Sequence, residues 1–152
     1  MDVAERLCRA DEVCSGRGQR LTPLRRQVLA LIAASEAPVG AYGILERLAV
    51  GGRVPAPPTI YRALDFLCAN GLVHRVATRN AYVACSHPED EHGCQLLLCS
   101  GCGRTVELEL PELGCQIRQA AQRHDFRPER ITLEVEGMCV GCRTDAATVA
   151  HA

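Results

Sequence analysis

The sequence predicts an α+β protein in two parts: helices closed by a β-hairpin, then a small α/β unit carrying an antiparallel sheet. Three observations carry that prediction. Apolar residues recur at helical spacing through most of the first 70 positions, and the second half switches to strand-like alternation. Charge divides in the same region: residues 1–80 hold 11 Arg against 7 acids (+4), and residues 81–152 hold 6 Arg against 11 acids (−5). Two Cys-x-x-Cys pairs, Cys99/Cys102 and Cys139/Cys142, both lie in the acidic half.

Taken in order, "MDVAERLCRADEVCSG" reads as a first helix ended by glycine. In "RLTPLRRQVLALIAASEAP" Thr22 suits the N-cap and Pro23 the first helical position, with Leu24, Val28, Leu31 and Ile32 at helical spacing. "AYGILERLAV" is a shorter helix before Gly51-Gly52. "APPTIYRALDFLCANG" opens on prolines and stops at Gly71; its stripe of Ile60, Ala63, Leu64 and Leu67 leaves Thr59, Tyr61, Arg62 and Asp65 for solvent or a partner. "LVHRVATRNAYVAC" gives two β-prone runs around a polar turn, a hairpin signal. Helices followed by a hairpin is the order of a winged helix-turn-helix, in which the last helix enters the DNA major groove and the hairpin forms a wing.

In the second half, "CQLLLC", "RTVELEL" and "ITLEVEG" read as strands and "PELGCQIRQAAQRHDF" as one helix. The expected division is a DNA-binding domain over 1–82, a hinge over 83–88, a zinc-binding domain over 89–145 and a flexible tail over 146–152. With 3% aromatic residues and no Trp, the core must be Leu, Val, Ile and Ala. No run approaches the roughly 20 apolar residues of a membrane span, and no export signal precedes the first helix, so the expectation is a cytoplasmic protein with no membrane partner.

Ten cysteines in a reducing compartment point to metal rather than to disulfides. Each C-x-x-C turn can aim two sulfurs at one ion about 2.3 Å away, and two such turns complete a closed zinc tetrahedron with no open position for catalysis. A thioredoxin-like redox pair needs a βαβ setting that is missing here. A zinc deaminase needs Pro before its C-x-x-C, and neither pair has one. Neither an enzyme nor a protein acting on a small organic substrate is expected. The other ligand-type residues, His74, Cys85, His87, His92, Cys94, Glu107 and Glu109, spread across the junction of the two parts.

"LTPLRRQVLALI", "PPTIYRALDFLCANGLVHRV", "CSGCG" and "CVGC", in this order, resemble the ferric uptake regulator family of metal-sensing repressors, and within it the zinc uptake regulator branch. The resemblance spans roughly Leu21 to Cys142. It implies a winged-helix domain, a C-terminal α/β dimerisation domain, and a homodimer that binds palindromic duplex-DNA operators when loaded with metal. By motif it assigns structural zinc to Cys99, Cys102, Cys139 and Cys142, and regulatory zinc to His74, Cys85, His92 and Glu107, one ion of each kind per chain. His87, Cys94 and Glu109 stay open as substitutes in the second set. The sequence departs from iron-sensing members, which carry a histidine-rich run before the first C-x-x-C where this chain has "EDEHGCQLLL", and a His near Arg130. Both departures favour zinc over an iron or peroxide sensor; a zinc-ribbon interaction module without DNA binding is the remaining alternative. For DNA, Tyr61 and Arg62, with Thr59 beside them, are the expected base-facing residues, and Arg20, Arg25 and Arg79 the expected phosphate contacts.

Overall fold

A computed structural model describes residues 2–50, 55–88 and 94–143 of the chain. Two compact units emerge, Met1–Asp90 and Glu91–Ala152. The expectations placed on Gly51-Gly52, His92 and the tail after Arg143 lie outside the described residues.

The first unit begins with α1 (Val3–Gly16), started by a reciprocal capping box between Asp2 and Glu5. Helix α2 (Pro23–Ala33) has Thr22 as N-cap and Pro23 at its first position, as the sequence indicates. A two-residue strand, β1 (Val39–Gly40), precedes α3 (Ala41–Ala49), and α4 (Pro57–Ala69) follows. The chain leaves α4 through Gly71 at φ +69°, a left-handed turn that glycine adopts without strain. Strands β2 (Val73–Val76) and β3 (Ala81–Ala84) form the hairpin, and β1 pairs antiparallel with the other edge of β3. Too short to announce itself by alternation, β1 had no sequence signal.

The core of this unit is aliphatic. Val28, Ile32, Ile44, Ile60, Leu64 and Leu67 are fully buried, and α4 contributes the Ile60, Ala63, Leu64, Leu67 stripe at i, i+3, i+4 and i+7. Burying each large aliphatic side chain is worth about 1.5–3 kcal/mol, which fixes the face of α4 that must point inward. Thr59, Tyr61, Arg62 and Asp65 are therefore all exposed.

The second unit has three strands in the order β5–β4–β6, where β4 is Cys94–Cys99, β5 Thr105–Glu107 and β6 Thr132–Gly137, with α5 (Pro111–Gln122) between β5 and β6. Here the expected antiparallel sheet needs correction. β5 is antiparallel to β4, but β6 runs parallel to it, because the connection through α5 carries the chain to the far edge before it returns. β4 is thus central, consistent with a sequence that is apolar apart from the buried Gln95. β5 also ends earlier than "TVELEL" suggests. Glu107 is its last residue and half-buried, Glu109 lies exposed beyond it, and Val106 is turned outward. Cys115 is exposed on α5, whereas Cys14 is buried in the first unit's core and Cys68 packs against it.

Candidate metal centre and DNA-facing helix

The parallel pairing of β4 and β6 builds the metal centre. Cys99 ends β4 opposite Gly137, so both C-x-x-C turns leave the sheet at the same end. Had the six residues of β6 run the other way, the second turn would start about 20 Å off, at about 3.3 Å per residue. Instead the sulfurs of Cys99, Cys102, Cys139 and Cys142 all lie within 4.8 Å of one another. Cys102 Sγ and Cys139 Sγ are 3.8 Å apart, far beyond a disulfide. Four sulfurs each about 2.3 Å from a central zinc would be about 3.8 Å apart, so the spacing fits a tetrahedral ion.

The turns are shaped for this. The Gly103 N–H donates to Cys99 O at 3.0 Å, and Gly103 has φ +78°. A Cβ at Gly101 would stand 2.7 Å from Cys142 Sγ and 2.9 Å from its Cβ, so only glycine lets the two turns close on each other. The Cys139 N–H donates to Cys99 Sγ at 3.3 Å. That amide, followed by those of Cys102 and Gly101, pulls the Cys99 thiol down to about 5. Cys142 is pushed up to about 12 by hydrogen bonds with Cys139 first, then with Cys99 and Cys102. Four clustered thiols cannot all ionise unless a cation compensates them, and a zinc ion supplies that compensation without redox chemistry.

A second group of ligand-type side chains sits in the hairpin. His74 on β2 faces Val83 on β3, and Cys85 lies two residues beyond Val83, on the same face and diagonal to His74. A His74 ring nitrogen and Cys85 Sγ lie within 4.8 Å of each other. Cys85 is buried and His74 half-buried. In the second unit Glu107 ends β5 opposite Leu96.

The remaining sequence-derived residues lie on the first unit. On α4, Thr59, Tyr61 and Arg62 form an outward face. Arg20 is exposed just before α2, and Arg79 is half-buried in the hairpin turn. Arg25 is more committed than expected: its Nη1 donates to Arg20 O at 2.8 Å, and its guanidinium stacks 3.4 Å from the Phe66 ring centroid. It braces α2 against α4 before it can meet a phosphate. Arg26 is ion-paired with Asp11 on α1.

Sequence reasoning passed over Asn70, a buried polar side chain at the C-cap of α4. Its Nδ2 donates to Gln19 Oε1 and Phe66 O, and its own carbonyl accepts from Arg17 Nη1 at 2.7 Å. The Asn-Gly pair after an apolar stripe was the available signal. These bonds tie the end of α1 to the end of α4.

A winged-helix unit with an exposed arginine-bearing helix, joined in one chain to a four-cysteine metal centre, defines a class: metal-binding DNA regulators. The chain belongs to the ferric uptake regulator family, whose model matches residues 16–136. It is 34% identical over 140 residues to the zinc uptake regulation protein of Escherichia coli (strain K12), covering 91% of this chain and 81% of that one. Among solved structures it is similar to a zinc uptake regulator complexed with zinc and DNA, with a TM-score of 0.91, 32% identity, and coverage of 97% of this chain and 99% of that one. It is also similar to holo XcZur, with a TM-score of 0.84, 44% identity, and coverage of 91% and 96%. Among the described residues no helix is long and apolar enough to cross a membrane.

Proposed function

We propose that this chain is a zinc-responsive transcriptional repressor, acting in the cytoplasm as a homodimer on palindromic duplex operators of zinc uptake genes. It holds one structural zinc per chain, on Cys99, Cys102, Cys139 and Cys142, and one regulatory zinc, on His74, Cys85, Glu107 and His92. The observation that carries this reading is the closeness of His74 and Cys85, a nitrogen and a sulfur ligand on the wing of a DNA-reading unit, separate from the four-cysteine centre. Mixed nitrogen, thiolate and carboxylate donors suit zinc at about 2.0–2.3 Å.

The mechanism follows from where the ligands come from. His74 and Cys85 belong to the first unit and Glu107 to the second. A set drawn from both units is complete only in one relative orientation of the two. Metal and DNA that favour the same orientation are coupled, typically by about 1–3 kcal/mol per site. In the loaded dimer, Tyr61, Arg62 and Thr59 face base edges, Arg offering two parallel donors to guanine and Tyr an apolar face to thymine methyls. Arg20 and Arg79, with Arg25 behind them, meet phosphates and set register.

Dimerisation has its own support. Leu97, Val106 and Val135 are neighbours across β5–β4–β6 and stand on one face, each more than a third exposed, with Met138 at its end. Apolar side chains grouped like this mark an interaction surface.

The test titrates zinc against binding of duplexes selected from a randomised pool, for wild type, Cys85→Ser and Cys99→Ser. Cys85→Ser should fold and keep one zinc per chain while losing its zinc response. Cys99→Ser should lose the structural ion and the fold of the second unit. A Cys85→Ser protein that responds to zinc like wild type refutes the regulatory site.

A further inference from the structure

Cys85 sits just past the last paired residue of β3, beyond the Val73–Ala84 register. Chain at such a point normally loses its ladder bonds, yet both backbone polar groups of Cys85 are held. Its N–H donates to Leu72 O at 3.0 Å. Its C=O accepts from Arg6 Nη1 at 2.8 Å, across 79 residues of sequence. Leu72 in turn donates its N–H to Leu67 O at 2.9 Å, in the last turn of α4. One short series of hydrogen bonds therefore runs from α1 through Cys85 to the end of the helix that bears Tyr61 and Arg62.

Arg6 is set firmly enough for such a role. It closes the first turn of α1, directly after the Asp2–Glu5 capping box, and its own N–H donates to Asp2 O at 3.1 Å. Its side chain is half-buried, and the space it shares with Leu72, Cys85 and Pro88 leaves only about 10 Å³, room for a single water at most. A charged donor makes a hydrogen bond roughly twice as strong as a neutral one. Direction matters as well. A carbonyl clamped on one side and an N–H clamped on the other fix the Cys85 peptide planes, and so the line along which Cβ and Sγ project.

We infer that Arg6 is a positioning residue of the zinc-sensing site, clamping the Cys85 carbonyl so that the thiol is aimed before metal arrives, and joining α1 to the sensor. The inference rests on the reading of Cys85 as a regulatory ligand. Groups that orient a metal ligand without touching the ion commonly change metal affinity about 10–100-fold when removed.

The experiment uses the full-length dimer carrying its structural zinc. Wild type, Arg6→Ala, Arg6→Lys and Cys85→Ser are compared by zinc competition with a chromophoric chelator and by the thiolate-to-cobalt absorption of Co²⁺ added to the second site. Melting temperature and DNA affinity at saturating zinc are measured alongside. Arg6→Ala should weaken second-site zinc binding about 10-fold and shift or weaken the cobalt band, with DNA affinity at saturating zinc within about twofold of wild type. Arg6→Lys should recover part of the loss, since an ammonium still donates to the carbonyl. An unchanged zinc affinity in Arg6→Ala, with Cys85→Ser impaired, overturns the positioning role alone. Equal losses of DNA affinity and melting temperature at saturating zinc, with the cobalt band intact, show Arg6 to be ordinary packing and also overturn it. Cys85→Ser with a wild-type zinc response removes the regulatory reading itself.

Discussion

Gly101 shows how one residue without a side chain can decide whether a metal centre closes. The two C-x-x-C turns approach so tightly that any Cβ at this position overlaps the Cys142 side chain. Gly101→Ala is expected to push Cys142 out of the tetrahedral arrangement, with a loss of about 1–3 kcal/mol typical of overpacking. Zinc content after dialysis against a chelator, together with the melting temperature, checks this; full retention of zinc would show that the turns can separate without harm. At this scale the sequence was legible in the chemistry and grouping of the ligands and silent about the residues that hold them in place. Cys99, Cys102, Cys139 and Cys142 announce zinc by spacing alone. Cys85 was legible only through the family resemblance, and Arg6 announced nothing, because it has no local motif and matters only through a carbonyl 79 residues away.

Helix α4 joins the core and the proposed DNA face in one element. Its buried stripe positions the exposed one, so a core lesion should also be felt at the DNA. Leu64→Ala is expected to cost about 2–5 kcal/mol, the usual range for a fully buried leucine, and to weaken operator binding in step with unfolding. Denaturant titration beside binding at low temperature separates the two effects; binding should recover where the helix is folded. The same unit carries a prediction in pH. Burial pushes the Cys14 thiol above its ordinary 9.0, with Asp11 adding to the effect, and pushes the Tyr82 hydroxyl above 10.0. A folded pKa above the unfolded one means that the unfolded chain loses its proton first. Stability is therefore whole below about pH 9 and falls as pH rises through the folded values. Melting temperatures from pH 7 to 10.5 should be flat at first and then drop, and Cys14→Ala should drop less steeply. A flat wild-type profile to pH 10.5 would contradict the assignment. Helix caps and stripes were readable in advance because helices are local. β1 was not, since two residues pair only because β3 offers an edge.

For the whole molecule, association should run through the apolar face of the second sheet. Val135→Glu places a charge among Leu97, Val106 and Met138, and should weaken the dimer at least 10-fold, about 1.4 kcal/mol. Sedimentation velocity across a dilution series measures this, and zinc content should stay unchanged because the cysteines lie at the sheet's end. A dimer unaffected by the charge would place the interface elsewhere. The antiparallel expectation for this sheet failed because alternation reports which face a residue takes and not which way the strand runs. A sharper clue was present: both C-x-x-C pairs follow the C-terminal ends of strands, and one shared ion requires those ends to be adjacent, hence parallel strands.

The division between chain and fold follows from distance along the sequence. Caps, stripes, turn glycines and the chemistry of the ligands were set by residues within a few positions of one another, so the sequence by itself determined a winged helix, a small sheet and an affinity for zinc. Tertiary structure alone decided that β6 runs parallel to β4, that His74 faces Val83 so that Cys85 lies diagonal to it, and that Arg6 holds a carbonyl 79 residues away. Such pairings depend on strand register and on which faces are buried together. Those are properties of the packed chain that no local preference encodes.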